Sequence, residues 1–209
     1  MSTPLVLPAG VTIADPYERL IRFLENEWEI YDGQPNAQDS TLSLFDILVS
    51  VSMNSRLDTA DKVRSVWDGR HAVEEALRVV PADIPLECGN VPWGSLETLF
   101  EAFCAIPHAK EAVATKILHR KRPSLIPIVD SVIGAYLNKV RGSQLPRGMC
   151  IGKRIVEQVT TFREVLLAHL SEMTELCGLV AEKGYPIARV RALEILMWVE
   201  IEPNAYYRK

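Results

Sequence analysis

The chain lacks the marks of a membrane protein. Its longest uncharged opening, Met1 to Ala14, is interrupted by Pro4, Pro8 and Gly10 and falls short of the ~18 apolar residues that a spanning helix needs. It has no basic leader either, Arg19 being the first cation, so a cytoplasmic location without membrane contact is expected. Cysteine is scarce and badly spaced for metal: Cys88, Cys104, Cys150 and Cys177 are separated by 16, 46 and 27 positions, with no Cys-x-x-Cys pair and no Cys/His pair at ligand spacing. Zinc and iron–sulfur sites are not expected, nor any other metal or cofactor. In a chain of 209 residues the four cysteines are expected as reduced, buried, small hydrophobes rather than as a disulfide framework. Strand-like alternation, repeats and low-complexity segments are missing too.

What is present is an ordinary globular mixture, 48% hydrophobic and 24% charged, which fits one domain or two interlocked lobes. The apolar residues recur at helical spacing. Asp15-Pro16 predicts a helix start, with Asp15 as cap and Pro16 at the first helical position, followed by Leu20, Ile21, Leu24 and Trp28. Residues 41–54 are apolar nearly all round, which predicts a helix in the centre of the fold. Two short helices are expected at 59–67 and 71–80, then one capped by Ser95, one over 109–120, one starting at Asp130, and more towards the C-terminus. Pro123 and Pro127 force the intervening segment out of helix. The expectation is an all-α fold of about nine or ten helices.

The net charge of -4 hides an asymmetry. Between Lys110 and Arg154 ten Lys/Arg face two acids, Glu111 and Asp130, so this stretch is +8 and the remainder -12. A local basic surface on an acidic protein can track phosphates, because distant acids are screened beyond roughly 8 Å at physiological salt. The competing reading is a solvated helix face.

Three stretches in order resemble the helix-hairpin-helix DNA glycosylase superfamily, the endonuclease III-like enzymes, over roughly residues 41–140. Leu44-Phe45-Asp46-Ile47-Leu48-Val49-Ser50-Val51-Ser52-Met53-Asn54-Ser55-Arg56 looks like the first barrel helix, ending in a polar residue that wedges into DNA. Ile106-Pro107-His108-Ala109-Lys110 sits where the family has its Leu-Pro-Gly-hydrophobic-Gly hairpin. Pro123-Ser124-Leu125-Ile126-Pro127-Ile128-Val129-Asp130 resembles the extended segment that delivers the catalytic aspartate. The stretch Lys116 to Pro123 with Pro127 and Asp130 is also similar to bacterial proteins of unknown function. Two departures stand out: His108 and Lys110 replace both hairpin glycines, and Ala112 stands where a lyase lysine would lie.

The resemblance implies a central helical lobe (39–124) carrying the hairpin, a second lobe from 1–38 plus 125–209, and a cleft between them beside Asp130. It implies a monofunctional DNA glycosylase that hydrolyses the N-glycosidic bond of a damaged or modified base, with a modified cytosine or a hypermodified phage base among the substrates. The partner would be DNA, a duplex with a flipped base or a single strand, and the protein a monomer. Asp130 would stabilise the cationic sugar: a carboxylate ~4 Å away at an effective dielectric of ~20 contributes on the order of 4 kcal/mol. It would also position the attacking water. Its alternative role is a helix cap, compatible with the first. Arg56 is the candidate wedge, or else a surface cation paired with Asp58 or Asp61. His108, Lys110, Lys116, His119 and Arg120 are the candidate DNA contacts. Trp28, Tyr31, Phe45 and Tyr136 are candidate base-stacking aromatics, with core packing as the alternative for each. The competing class is a catalytically inert helix-hairpin-helix module that binds DNA or a protein.

Overall fold

The computed structural model describes residues 3–36, 38–146 and 148–202, and within them the fold is all-α with nine α-helices and one small hairpin. The hairpin pairs β1 (Leu5–Leu7) with β2 (Val11–Ile13), antiparallel. Three residues per strand are too few to show as periodicity, which is why the sequence did not reveal it. The helices are α1 (Pro16–Glu27), α2 (Leu44–Ser52), α3 (Ala60–Arg78), α4 (Trp93–Cys104), α5 (Glu111–Lys121), α6 (Ser131–Arg141), α7 (Ile151–Ala168), α8 (Leu170–Glu182) and α9 (Arg189–Ile201). None is long and apolar enough to cross a membrane. The closing Tyr206-Tyr207-Arg208-Lys209, expected as a surface tail, lies outside the described residues, as does Arg147.

Several boundaries differ from the sequence expectation for identifiable reasons. The two short helices expected at 59–67 and 71–80 are one helix, α3, capped by the Thr59 side chain on the Lys62 amide. Gly69 does not break it, because the missing side chain admits Ile106: a Cβ there would sit 2.7 Å from Ile106 Cγ1. Asp15 precedes Pro16 as expected, but in a left-handed conformation (φ 48°) with no side-chain capping bond. Ser95 lies inside α4, whose N-cap is Pro92. Helix α2 is capped by a reciprocal Ser43–Asp46 pair, worth about 1 kcal/mol. It is not central: Leu44, Phe45 and Leu48 are 45%, 44% and 48% exposed, so its apolar second face looks outward.

The central elements are α5 and α9. Every residue of α5 from Val113 to Lys121 is buried, and α9 buries Val190 through Met197 and Val199. Helix α5 packs against α2 and α4, and α9 against α1, α6 and α8. One hydrophobic core runs through both segments expected as lobes, and the most extensive helix pairing, α4 against α7, crosses between them. Gly152 at the start of α7 permits that approach, since a Cβ there would lie 2.6 Å from the Glu97 carbonyl oxygen. The four cysteines are free thiols, but none is buried as expected: Cys88, Cys104 and Cys177 are half-buried and Cys150 is exposed. Burial first, then Glu111, pushes Cys104 up to about 12.

Candidate functional site

The site begins with the segment that follows α5. Pro123 ends the helix, and the extended chain then runs back along α5, pinned by side chains on one face of it. The Arg122 carbonyl accepts from the Leu125 and Ile126 amides. His119 Nδ1 donates to the Ile126 carbonyl at 2.6 Å, and Thr115 Oγ1 accepts from the Val129 amide at 3.1 Å. These bonds deliver Asp130 to the N-terminus of α6. There Asp130 Oδ1 accepts from the Val132 and Ile133 amides at 2.9 and 3.0 Å, while Oδ2 accepts from no described residue. Asp130 is therefore a helix cap that keeps one carboxylate oxygen uncommitted.

Asp130 lines an open cleft of about 960 Å³. Its walls come from residues 52–56, the turn and first half of α5 from His108 to Lys116, residues 128–132, α1 and α9. On the rim stand Asn54, Arg56 and His108, all exposed and all left-handed, with φ of 58°, 59° and 68°. Non-glycine residues in this region cost roughly 1–2 kcal/mol each, and such strain gathers at functional sites. His108 occupies the place of the first hairpin glycine and adopts a glycine-like backbone. The turn is closed by Ala109 N donating to the Ile106 carbonyl at 3.1 Å, and Ser65 Oγ donates to the Pro107 carbonyl. Lys110, where the resemblance sets the second glycine, is extended (φ -95°, ψ 179°) and gives α5 no side-chain cap, and Glu111, Ala112 and Val113 of the first turn line the cleft. Ser55, also in the cleft lining, is buried, and its Oγ bonds no described residue.

Deeper in, Tyr31 donates its hydroxyl to the Lys116 carbonyl at 2.5 Å, and Lys116 Nζ donates to the Met53 carbonyl at 2.7 Å. Burial lowers the Lys116 ammonium, with Asp130 and Glu194 pulling the other way. The floor carries Arg191, which meets Asp32 through two hydrogen bonds of 2.8 Å and also bonds Glu194. Its guanidinium lies 5.3 Å from the Tyr31 ring centre and 5.6 Å from that of Phe23.

The structure thus brings together Asp130, Arg56, His108, Lys110, Lys116 and Tyr31, and separates the rest. His119 and Arg120 are 3% and 2% exposed and cannot reach DNA phosphates. Burial above all, then Arg191, lowers His119 to about 4, so it is a neutral ring holding Ile126. Arg120 bonds Asp46 at 3.3 Å and the Tyr31 and Pro35 carbonyls. Of the other aromatics, Trp28 packs edge-on against Tyr185. Phe45 lies exposed on α2 outside the cleft. Tyr136 is buried with its hydroxyl on the Pro8 carbonyl. Arg56 makes no pair with a described acid; Asp58 is taken by Lys62 instead. Sequence reasoning missed Asp32, Arg191 and Glu194, together with Phe23 and Trp198 in the cleft wall. The available signal was a pair of charges, Arg191 and Glu194, one turn apart in the otherwise apolar stretch from Val190 to Val199. Away from the cleft, Glu97, Glu101 and Cys150 bring ligand atoms within 4.8 Å of one another, a grouping that spacing along the chain did not announce.

Comparison with known proteins adds one decisive match: residues 17–201 match DUF6308, a family of unknown function. The chain belongs to DUF6308. The match covers every wall of the cleft apart from Glu202, so the site lies within the DUF6308 region itself. No curated protein matches the chain, and no solved structure does.

Proposed function

We propose that this DUF6308 protein is a monofunctional DNA glycosylase that hydrolyses the N-glycosidic bond of a damaged or modified base turned out of the DNA into the cleft. The observation that carries this reading is the meeting, in one cleft, of a carboxylate with an uncommitted oxygen and a cationic rim. Breaking the bond builds positive charge on the sugar. A fixed carboxylate stabilises that charge most where water is excluded, and Asp130 is fixed by two amides before the substrate arrives. The uncommitted Oδ2 is the group that faces the sugar and orients the water.

The rim supplies the backbone contacts. Arg56, His108 and Lys110 are exposed cations or potential cations, and the uncapped first turn of α5 offers amides to a phosphate. Arg56 fills the space that the extruded base vacates. Tyr31, 3% exposed and stacked on His119, packs in the core and offers no open face to a base. Ala112 lines the cleft without a nucleophile, and Lys116 has its amine on the Met53 carbonyl, which supports hydrolysis without a Schiff base. The double amide cap on Oδ1 favours a second reading, an inert module in which Asp130 only caps α6.

A base-release assay separates the two. Duplexes and single strands carrying uracil, alkylated, oxidised and modified-cytosine bases, with phage DNA rich in hypermodified bases, are scored for abasic sites after alkali. Asp130→Asn keeps the cap acceptor and the fold, and is expected to lower turnover ~10² to 10⁴-fold. Intact DNA across the panel, with salt-sensitive binding retained, would establish the inert module.

A further inference from the structure

Three carboxyl groups gather around Arg191 and Lys116: Asp130 and Glu194 line the cleft, and Asp32 lies outside its lining on Arg191. Burial weakens Lys116 as a cation. Arg191 is committed to Asp32 by two parallel hydrogen bonds and reaches Glu194 with its remaining nitrogen. Glu194 is 4% exposed. Its Oε2 accepts from Arg191, whereas Oε1 accepts from no described residue. It lines the same cleft as Asp130, near enough for the two charges to act on each other. The two carboxyl groups differ in setting: Asp130 is half-buried and held by two amides, Glu194 is enclosed and beside two other acids.

We infer that Glu194 is the proton donor to the departing base, and that the substrate is therefore a neutral base whose release requires protonation rather than a cationic alkylated one. The inference rests on the glycosylase reading. In the step, the bond from the sugar C1′ to the base nitrogen breaks and its electron pair goes to the base. Glu194 Oε1 gives its proton to a ring nitrogen or an exocyclic oxygen of that base. Water forms the new bond to C1′ and its proton passes to Asp130; Asp130 then releases that proton to solvent and Glu194 regains one from solvent. The products are the free base and an abasic sugar, and every atom of the water is accounted for.

The protonation states support the assignment. Burial is the largest effect on Glu194, the Arg191 charge offsets part of it, and Asp130 and Asp32 push in the direction of burial, bringing the group up to about 7. The charged and titratable groups facing it are Arg191 on its own helix, Tyr31 and Asp32 after α1, Lys116 on α5 and Asp130 at α6. A carboxyl group able to hold a proton near neutrality, in one cleft with a second carboxyl group, is what acid–base division of labour requires.

The test is single-turnover base release by the full chain between pH 5 and 9. The wild type is expected to be fast below about pH 7 and to slow roughly tenfold per pH unit above it. Glu194→Gln is expected to release a neutral base about 100-fold more slowly and to lose the alkaline limb. Release of an N-alkylated cationic base should fall by less than a tenth of that factor. A wild-type profile flat through pH 7 to 9 would overturn the inference and needs no variant, so a misfolded Glu194→Gln cannot protect it. Release abolished in Asp130→Asn but unchanged in Glu194→Gln would overturn it alone. No release of any base by the wild type would overturn the glycosylase reading and this inference together.

Discussion

Two groups of cations in this protein look alike in the sequence and do opposite things. Arg56, His108 and Lys110 stand exposed on the cleft rim. Lys116, Arg120, Lys121 and Arg122, only a few residues further on, are 5%, 2%, 2% and 2% exposed. The inner group turns towards acceptors that the fold must satisfy. Arg122 donates to the Val80 and Leu77 carbonyls at the end of α3, at 2.8 and 3.1 Å, and to the Asp39 carbonyl at 3.0 Å. Helix ends leave carbonyls without intrahelical partners, and a buried guanidinium with five donors is suited to them. Lys121 and Arg120 share Asp46, at 2.8 and 3.3 Å. Burial would raise that carboxyl, but hydrogen bonds from Lys121 and Ser43 outweigh it and hold it below its ordinary value. The basic stretch is thus in part an internal fastening for residues 31–40, and four of its ten cations are not available to track phosphates.

The comparison can be broken most sharply at Arg122. Arg122→Met should destabilise the protein by about 3–5 kcal/mol, because it leaves buried carbonyls unpaired, and should lower the unfolding midpoint by about 10 °C. A midpoint unchanged within 2 °C in thermal denaturation would mean that Arg122 is not structural. On the rim, Arg56→Ala and Lys110→Ala should each stay within about 0.5 kcal/mol of wild-type stability. Each should weaken DNA binding at every sequence and reduce the salt slope by roughly 1. Binding isotherms at several salt concentrations read this directly, and unaltered slopes would remove the rim from the DNA interface. The smallest effect is at His108. His108→Gly relieves the left-handed backbone and should raise stability by about 0.5–1 kcal/mol, measured by urea denaturation, while DNA affinity falls. Lower stability would show that the His108 side chain outweighs its backbone strain.

The hairpin and the aspartate were legible in the sequence because each depends on local chemistry. Pro107 and Pro123 end helices wherever they occur, and Asp before Ser131 caps one. The left-handed backbone at His108 was not legible, since glycine is the usual signal for it and histidine stands there instead. The direction of α2 was misread for a related reason. An apolar residue at every turn says that a helix can be buried, not which neighbours reach it, and Leu44, Phe45 and Leu48 find none that cover them.

The sequence by itself determined the helical class, the breaks at proline, and the placing of Asp130 at the head of a helix, because those follow from backbone sterics and apolar spacing within a few residues. Only the tertiary structure decided which cations are exposed, which aromatics line the cleft, and that Asp32, Arg191 and Glu194 meet. Asp32 and Arg191 are 159 positions apart, and whether a charge faces water or a partner is set by what packs against it, which spacing along the chain does not carry.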